Sequence, residues 1–539
     1  MAERGNESHR PGSGRPQDVP RRVALDVLRR VSQTSSFANL ILPKELSARG
    51  LSSADAGFVT DAVYGTLRWR GLLDAIIAAA AKRDISKIDG DALDVLRLGA
   101  FQVLFMAVPD YAAVNSSVDL TRSVGRGRLT GFVNAVIRKI ATRGRKEWES
   151  MVVSRIPKED AFARLAVRYS HPEWIVRELS ASLDAAYGAA YEVAHGGVGD
   201  SGDDDGRSSD DAGVEETDAN EQLPQLLAAD NAAPDVTLAA RPGLITPDAL
   251  VAQLPPDSTV RPGKWSPYAV RVHGVNPAHV PAVQEGKAGV EDEGSQLAAL
   301  ALANAPLGDA VFGRSGEPDG SIGQKRPDKK TESAWLDMCA GPGGKTALLG
   351  AIAAERGVRV TANEPTEHRA RLVEQNVAGL PEGVITEVTR RDGRDFGREM
   401  PGAFDRVLVD APCSGLGALR RRPEARWTKS ADDIAELTEI QRGLLNSALD
   451  AVTPGGVVAY VTCSPVVAET RGIVDAVLKG RGSADEEGTG RYERLDTAAV
   501  LKSIVPEIPL PEGARGDVQL FSHVHDTDQM FISLIRRVR

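Results

Sequence analysis

Two short stretches put a cysteine where a strand should end: "VLVDAPCSG" around Cys413 and "AYVTCSPVV" around Cys463. Each is a run of apolar and β-branched residues that stops at a Pro- or Gly-bearing corner, the pattern of a buried strand surfacing at its last residue. A thiol there can simply fill space, because free cysteine is among the most buried residue types. It can also be a nucleophile held at the lip of a sheet. The chain has three cysteines in 539 residues, and the third, Cys339, also closes a predicted strand. Inert fillers would be scattered. Three strand-end thiols point to one site.

Cys339 lies in "LDMCAGPGGKTALLG" (336–350), a Gly-rich turn between a predicted strand and a predicted helix. Such a turn lets the backbone approach a ligand closely. It is not a phosphate-cradling G-x-x-x-x-G-K-[ST] loop, since Cys339 stands where that spacing needs glycine, and it is not G-x-G-x-x-G. Within this turn Cys339 reads as a small residue in a tight place. Glu364 follows Gly344 by 20 residues at the end of the next strand, a spacing that suits hydrogen bonds to ribose hydroxyls. Asp392, after the third strand, is a candidate for an adenine. One such acid is adequately explained as a helix cap. Three features in register on successive strands favour a nucleoside site. Asp410, Pro412 and Cys413 then end the fourth strand, ahead of Arg420, Arg421, Arg422 and Arg426, while Cys463 ends the fifth. In a doubly wound sheet, ligands bind beyond the carboxyl ends of the strands, so both thiols should face one crevice.

The elements that must position these residues are legible. From 334 onward, strand candidates "SAWLDMC", "VRVTANE", "ITEVTRR", "FDRVLVDAP", "GGVVAYVTCS" and "MFISLIRR" alternate with helical segments. That alternation predicts a doubly wound, Rossmann-like α/β sheet. Residues 20–165 are helical instead: Ala24, Val27, Leu28 and Val31 form one stripe, and similar stripes recur, as in a compact bundle. Between them, 166–290 reads as a small α+β module with strands in "PDVTLAARPG" and "PYAVRVHG". Residues 1–19, 196–222 and 313–333 have the composition of disordered segments. The catalytic domain is thus expected over 291–539.

The net charge of −10 conceals its distribution. Residues 200–221 hold ten acidic residues against Arg207 alone, and the first 170 residues carry 27 Lys+Arg against 18 Asp+Glu. Residues 120–146 contain Arg122, Arg126, Arg128, Arg138, Lys139, Arg143, Arg145 and Lys146 and no acid. Such a run suits phosphate backbones, although a solvated helix face explains it equally well. Trp69 and its aromatic neighbours read as core or rim. No apolar stretch reaches membrane-spanning length, and no secretory signal, disulfide framework or zinc-site spacing is visible. A cytoplasmic protein without metal is expected.

"LDMCAGPGGKT", "DAPCSGLGALRRRPE" and "YVTCSP", in this order, closely resemble the RNA 5-methylcytosine methyltransferases that use S-adenosylmethionine. "YGTLRWR" and "GFVNAVIRK" resemble the RNA-binding domain of the antitermination factor NusB, and "VEDEGSQLAA" resembles the lead-in to the catalytic domain. The combination is similar to the bacterial small-subunit ribosomal RNA methyltransferase B family. The resemblance implies that Cys339, Ala340, Gly341, Pro342, Gly343, Gly344, Lys345, Glu364, Asp392 and Asp410 bind or line the methyl donor. It implies Cys463 as nucleophile and Cys413 as the group that releases the product, with 16S ribosomal RNA, free or in an early assembly particle, as partner of a monomer. Asp410 would hydrogen-bond the base. Arg122, Arg126, Arg128, Arg138, Arg143, Arg421 and Arg422 become the candidate RNA contacts. Two departures stand out: Gly341 replaces a more usual alanine, expected to be harmless, and Gln529 replaces a glycine of the last loop. Two other readings use the same residues. A small-molecule or protein methyltransferase would not need two strand-end cysteines. A non-catalytic RNA-binding or transcription factor would not need the donor turn.

Overall fold

The computed structural model describes residues 18–34, 37–106, 108–188, 218–308, 332–482, 491–510 and 516–538, and it divides into two compact units, 1–171 and 172–539. The first is all-helical. Its opening helix, Val19–Thr34, buries the stripe Ala24, Val27, Leu28 and Val31, so helix begins at the edge of what composition marks as lead-in. Helices Ser53–Arg68 and Gly90–Phe105 cross closely at Gly65, where any Cβ would lie 1.9 Å from the Phe101 ring. That close approach explains the glycine in "YGTLRWR". Helix Thr130–Ile140 turns Val133, Val136, Ile137 and Ile140 inward, which leaves Arg138 and Lys139 on its exposed side. The expected boundary at 165 is corrected: it falls inside helix Ala161–Tyr169, because that helix packs on the bundle, and the unit runs to His171.

The second unit holds two sheets. Strands β1 (Val236–Ala240), β2 (Thr259–Pro262), β3 (Ala269–His273) and β4 (Ala288–Val290) form an antiparallel sheet in the order β2-β3-β1-β4. The sequence indicates β1 and β3, which alternate into the module's core; β2 and β4 span only four and three residues, too short for a periodic signal.

The larger sheet contains β5 (Ala334–Asp337), β6 (Arg359–Asn363), β7 (Ile385–Thr389), β8 (Phe404–Asp410), β9 (Val452–Thr462), β10 (Tyr492–Arg494), β11 (Val518–Gln519) and β12 (Phe531–Arg537). Its order is β10-β12-β9-β8-β5-β6-β7, with β11 beside β12. The five strands from β9 to β7 are parallel, and on the other side of β9 lie β12, antiparallel to β9, and then β10, antiparallel to β12. All six expected strands are present. Successive strands leave β5 in opposite directions, so the strand order reverses between β5 and β8, and a crevice opens above their carboxyl ends. Helix Glu293–Asn304 is buried along nearly its whole length against this sheet.

Most of the two low-complexity insertions, and of the lead-in, lies outside the described residues. Their described ends are ordered into the fold, which corrects the expectation there. Helix Asp218–Ala229 starts inside 196–222. Glu332 pairs with the buried Arg406 at 2.8 Å, and the Ser333 amide donates to Asp405 at 2.7 Å. These bonds tie the approach to β5 directly to β8.

Candidate active site

The turn after β5 is held from outside by side chains of its neighbours. Asn363 donates to the Met338 carbonyl at 3.0 Å, Arg369 to that of Gly341 at 2.7 Å, and Asn376 to that of Pro342 at 2.9 Å. The sequence indicates none of the three, because their signal is a distance across β6 and the helix Glu367–Val377. Gly343 has φ of 113°, and a Cβ there would come within 2.9 Å of the Val373 backbone, so only glycine fits. Asp337 accepts the Thr346 hydroxyl at 2.7 Å, and burial pushes its carboxyl up to about 7. Cys339 sits within the turn with its thiol pushed up by burial, as befits a packing residue.

Glu364 follows β6, is buried, and accepts the Thr366 amide at 3.0 Å. Its carboxylate faces the turn: a Cβ on residue 341 would lie 2.1 Å from Glu364 Oε2. Glycine leaves this room to the carboxylate, which as the end of a flexible side chain can shift to admit a Cβ. Asp392 is exposed and its oxygens are taken by Arg394, which donates from Nε at 2.9 and 3.0 Å, from Nη2 at 2.5 Å and from its amide at 2.9 Å. Those bonds hold the Asp392 carboxyl below its usual range.

Lys345 points towards Asp410, donating to Oδ2 at 2.8 Å and to the Ser295 hydroxyl at 3.2 Å. Burial alone would lower its pKa, but the charges of Asp410 and Glu291 raise it. Glu291 is buried beside this group, and burial pushes its carboxyl up to about 7 against the pull of Lys345 and Arg241. Ser295 and Glu291 both belong to "VEDEGSQLAA", which by sequence reads only as a lead-in.

Cys413 and Cys463 stand side by side, with their sulfurs 3.5 Å apart. The hydrogen bond shared with Cys413 lowers the Cys463 pKa, with Arg422 and Lys345 assisting against burial and the Asp410 charge. The same bond raises that of Cys413. The corner of "CSGLGA" is set by Gly417, whose amide donates to the Cys463 carbonyl at 2.9 Å. A Cβ there would lie 2.1 Å from the Gln529 carbonyl. Gln529 itself is accommodated: it is buried, and its amide donates to Asp230 at 3.1 and 3.3 Å.

The arginines that follow Cys413 divide. Arg420 is buried against Asp526 at 2.7 Å, and Arg426 is buried with Asn231 at 2.9 Å. Arg421, a candidate RNA contact by sequence, bridges Asp292 at 2.5 Å and Asp528 at 3.1 Å. That assignment is corrected: these guanidiniums lock three loops together, because a buried cation is retained where carboxylates surround it. Arg422 remains exposed. In the helical unit, local acids from outside 120–146 engage part of the basic run. Arg122 pairs with Asp119 at 2.6 Å, Arg126 with Asp89 and Asp91 at 3.0 Å, and Arg143 with Glu147 at 2.5 Å. Arg138 donates to Asn134 at 3.1 Å, and Arg145 stacks on Trp69 and Phe105. Arg128 and Lys139 are exposed and have no acidic partner among the described residues.

Comparison with known proteins agrees with this architecture. Residues 327–536 match the model of the 16S rRNA methyltransferase RsmB/F family, and residues 18–142 match the NusB family. A Mycobacterium tuberculosis protein named as a methyltransferase is 40% identical over 97% of this chain and 98% of its own length. The Salmonella typhi ribosomal RNA small subunit methyltransferase B is 26% identical over 90% of this chain and 94% of its own. The crystal structure of PH0851 shares the fold, with a TM-score of 0.67 at 17% identity over 96% of this chain and 99% of that one. No helix among the described residues is long and apolar enough to cross a membrane. With a glycine turn after β5, two thiols at the ends of β8 and β9, and a relative that matches over 97% of this chain and 98% of its own length, the chain belongs to the 16S rRNA methyltransferase RsmB/F family.

Proposed function

We propose that the protein transfers a methyl group from S-adenosylmethionine to C5 of a cytosine in 16S ribosomal RNA, through a covalent bond between Cys463 and C6 of the base. The observation that carries the reading is the pair of thiols 3.5 Å apart at the ends of β8 and β9, beside the turn after β5. The donor supplies an electrophilic methyl on a sulfonium. Its nucleoside fits the turn Cys339–Gly344, where Glu364 offers a buried carboxylate and Asp337 Oδ1 is buried without a partner.

C5 of cytosine is a weak nucleophile. Attack of a thiolate at C6 makes C5 enamine-like, and only the thiolate attacks. Cys463 meets that need with Cys413 as the donor of the shared S–H, a direction the positive potential of Lys345 and Arg422 on Cys463 favours. In this reading Asp410, whose Oδ2 accepts from Lys345, hydrogen-bonds the N3 and N4 edge of the base. Cys413 keeps its proton through attack, loses it to solvent once Cys463 is bound to C6, and as the thiolate takes the C5 proton after methyl transfer, so that the Cys463–C6 bond breaks and Cys463 leaves as the thiolate. The base must be single-stranded or flipped from its stack.

The test is a denaturing gel of labelled 16S rRNA transcript with each cysteine variant. Cys413→Ala is expected to methylate once and accumulate a denaturation-resistant adduct, and Cys463→Ala to form none. The reverse pattern would exchange the two roles, and adducts in neither would remove Cys413 from release. Bisulfite sequencing of the product RNA locates the methylated base.

A further inference from the structure

One carboxylate ties both cysteine corners together. Glu469, in the turn Val467–Glu469 after β9, is fully buried. Its Oε1 accepts the Ser414 amide at 2.7 Å and the Gln441 side-chain amide at 3.2 Å. Its Oε2 accepts the hydroxyls of Ser414 at 2.5 Å and Ser464 at 2.6 Å. Ser414 follows Cys413, Ser464 follows Cys463, and the two hydroxyl oxygens are 3.2 Å apart. Gln441 also donates to the Pro412 carbonyl at 2.9 Å, and the Tyr460 hydroxyl to the Glu469 carbonyl at 2.8 Å. Glu469 makes no ion pair among the described residues. A carboxylate buried on hydrogen bonds alone is costly unless its acceptor sites are filled, and here four donors fill them.

Building on the cysteine mechanism above, we propose that Glu469 is a positioning residue for the thiol pair. It clamps the two strand-end corners at one separation, and its charge, bonded to the amide next to Cys413, keeps the shared proton on Cys413 and leaves Cys463 as the thiolate. Ionisation of the pair releases one proton to solvent; the other stays on Cys413 Sγ and is donated to Cys463 Sγ. The remaining groups facing the pair are Asp410 at the end of β8, Lys345 from the helix Gly344–Arg356, Arg422 from the loop after Cys413, and Tyr460 of β9. Glu178, of the helix Glu173–Leu183, faces Glu469. Lys345 and Arg422 act on Cys463, whereas Glu469 acts on Cys413, whose pKa is raised by the bond to Cys463, burial, the Cys463 charge and then Glu469. The carboxylate therefore adds, from the Cys413 side, to the difference that Lys345 and Arg422 make on the Cys463 side.

The experiment is alkylation of the free full-length protein by iodoacetamide across a pH series, with each cysteine quantified by mass spectrometry. In the wild type Cys463 should react first and at lower pH. Glu469→Gln keeps the shape and removes the charge; the selectivity for Cys463 should fall about tenfold, the factor for one unit of pKa difference. Ser464→Ala keeps the charge and removes one strut. It should retain the selectivity but slow single-turnover adduct formation with 16S rRNA transcript about tenfold. A folded Glu469→Gln with the wild-type selectivity and pH profile overturns the charge role. If that variant does not fold, Ser464→Ala decides alone, and a wild-type adduct rate there overturns the clamp. Alkylation uses neither RNA nor methyl donor, so its outcome is independent of whether Cys463 attacks cytosine.

Discussion

The crevice above β8 and β9 and the basic run of the helical unit handle charge in opposite ways. At the crevice, ionisable groups are buried and each is engaged by several partners: Lys345 by Asp410 and Ser295, Glu469 by four donors. In the basic run of the helical unit, arginines pair with acids at or near the surface, as Arg122 does with Asp119 at side-chain exposures of 59% and 50%. Exposed pairs contribute about 0–1 kcal/mol and exchange readily. Buried pairs cannot exchange without leaving a charge stranded. Residues of the same type are thus structural in one place and available to a ligand in the other.

The sharpest way to break this contrast is at Lys345. Lys345→Met strands the Asp410 carboxylate and removes the ammonium paired with it. Turnover should fall on the order of 100-fold or more, as when one preorganised electrostatic interaction is removed. Steady-state kinetics of the purified variant measure this, and near wild-type turnover would show that the pair is not part of the machinery.

A second test separates the arginines. Arg421→Leu removes the cation between Asp292 and Asp528 and should lower stability by about 3 kcal/mol. The salt dependence of RNA binding by the folded fraction should not change. A variant with wild-type denaturant stability but a shallower salt slope would return Arg421 to the RNA interface.

A pH prediction follows from Asp337, whose carboxyl is raised from an ordinary 3.8 to about 7 by burial. The folded state then holds a proton that the unfolded state has released between those values. Stability should therefore fall as pH rises through that window, with a slope approaching ~1.4 kcal/mol per pH unit for one group. Asp337→Asn should flatten part of the slope in urea unfolding at several pH values. An equal slope in the variant would mean that the carboxyl titrates alike in both states.

The smallest effect is expected on the helical unit. Neutralising Arg128, Arg138 and Lys139 should leave stability within about 0.5 kcal/mol, since exposed positions tolerate change. The log–log salt slope of RNA binding should drop by roughly 0.7–0.9 for each RNA phosphate that is no longer neutralised. Replacing Arg126 instead also removes its bonds to Asp89 and Asp91, so it tests fold and binding together. An unchanged slope in the first variant would make the run a solvated face.

Local sequence determined much of this protein. Strand alternation from 334, the glycine turn at 341–344 and the cysteines after β8 and β9 are all short-range signals, because burial and backbone geometry restrict residue types within a few positions. Strand order then follows from the parallel α/β pattern and brings Cys413 and Cys463 together. Tertiary structure alone decided which charges are spent inside the protein. Arg421 and Arg422 are adjacent and chemically identical, yet Asp292 and Asp528, each more than 100 residues away, enclose only the first. Glu469 gives no local sign that it reaches Ser414, 55 positions earlier. Electrostatic partners are chosen by distance and desolvation in the folded state, and neither quantity is written in the spacing of residues along the chain.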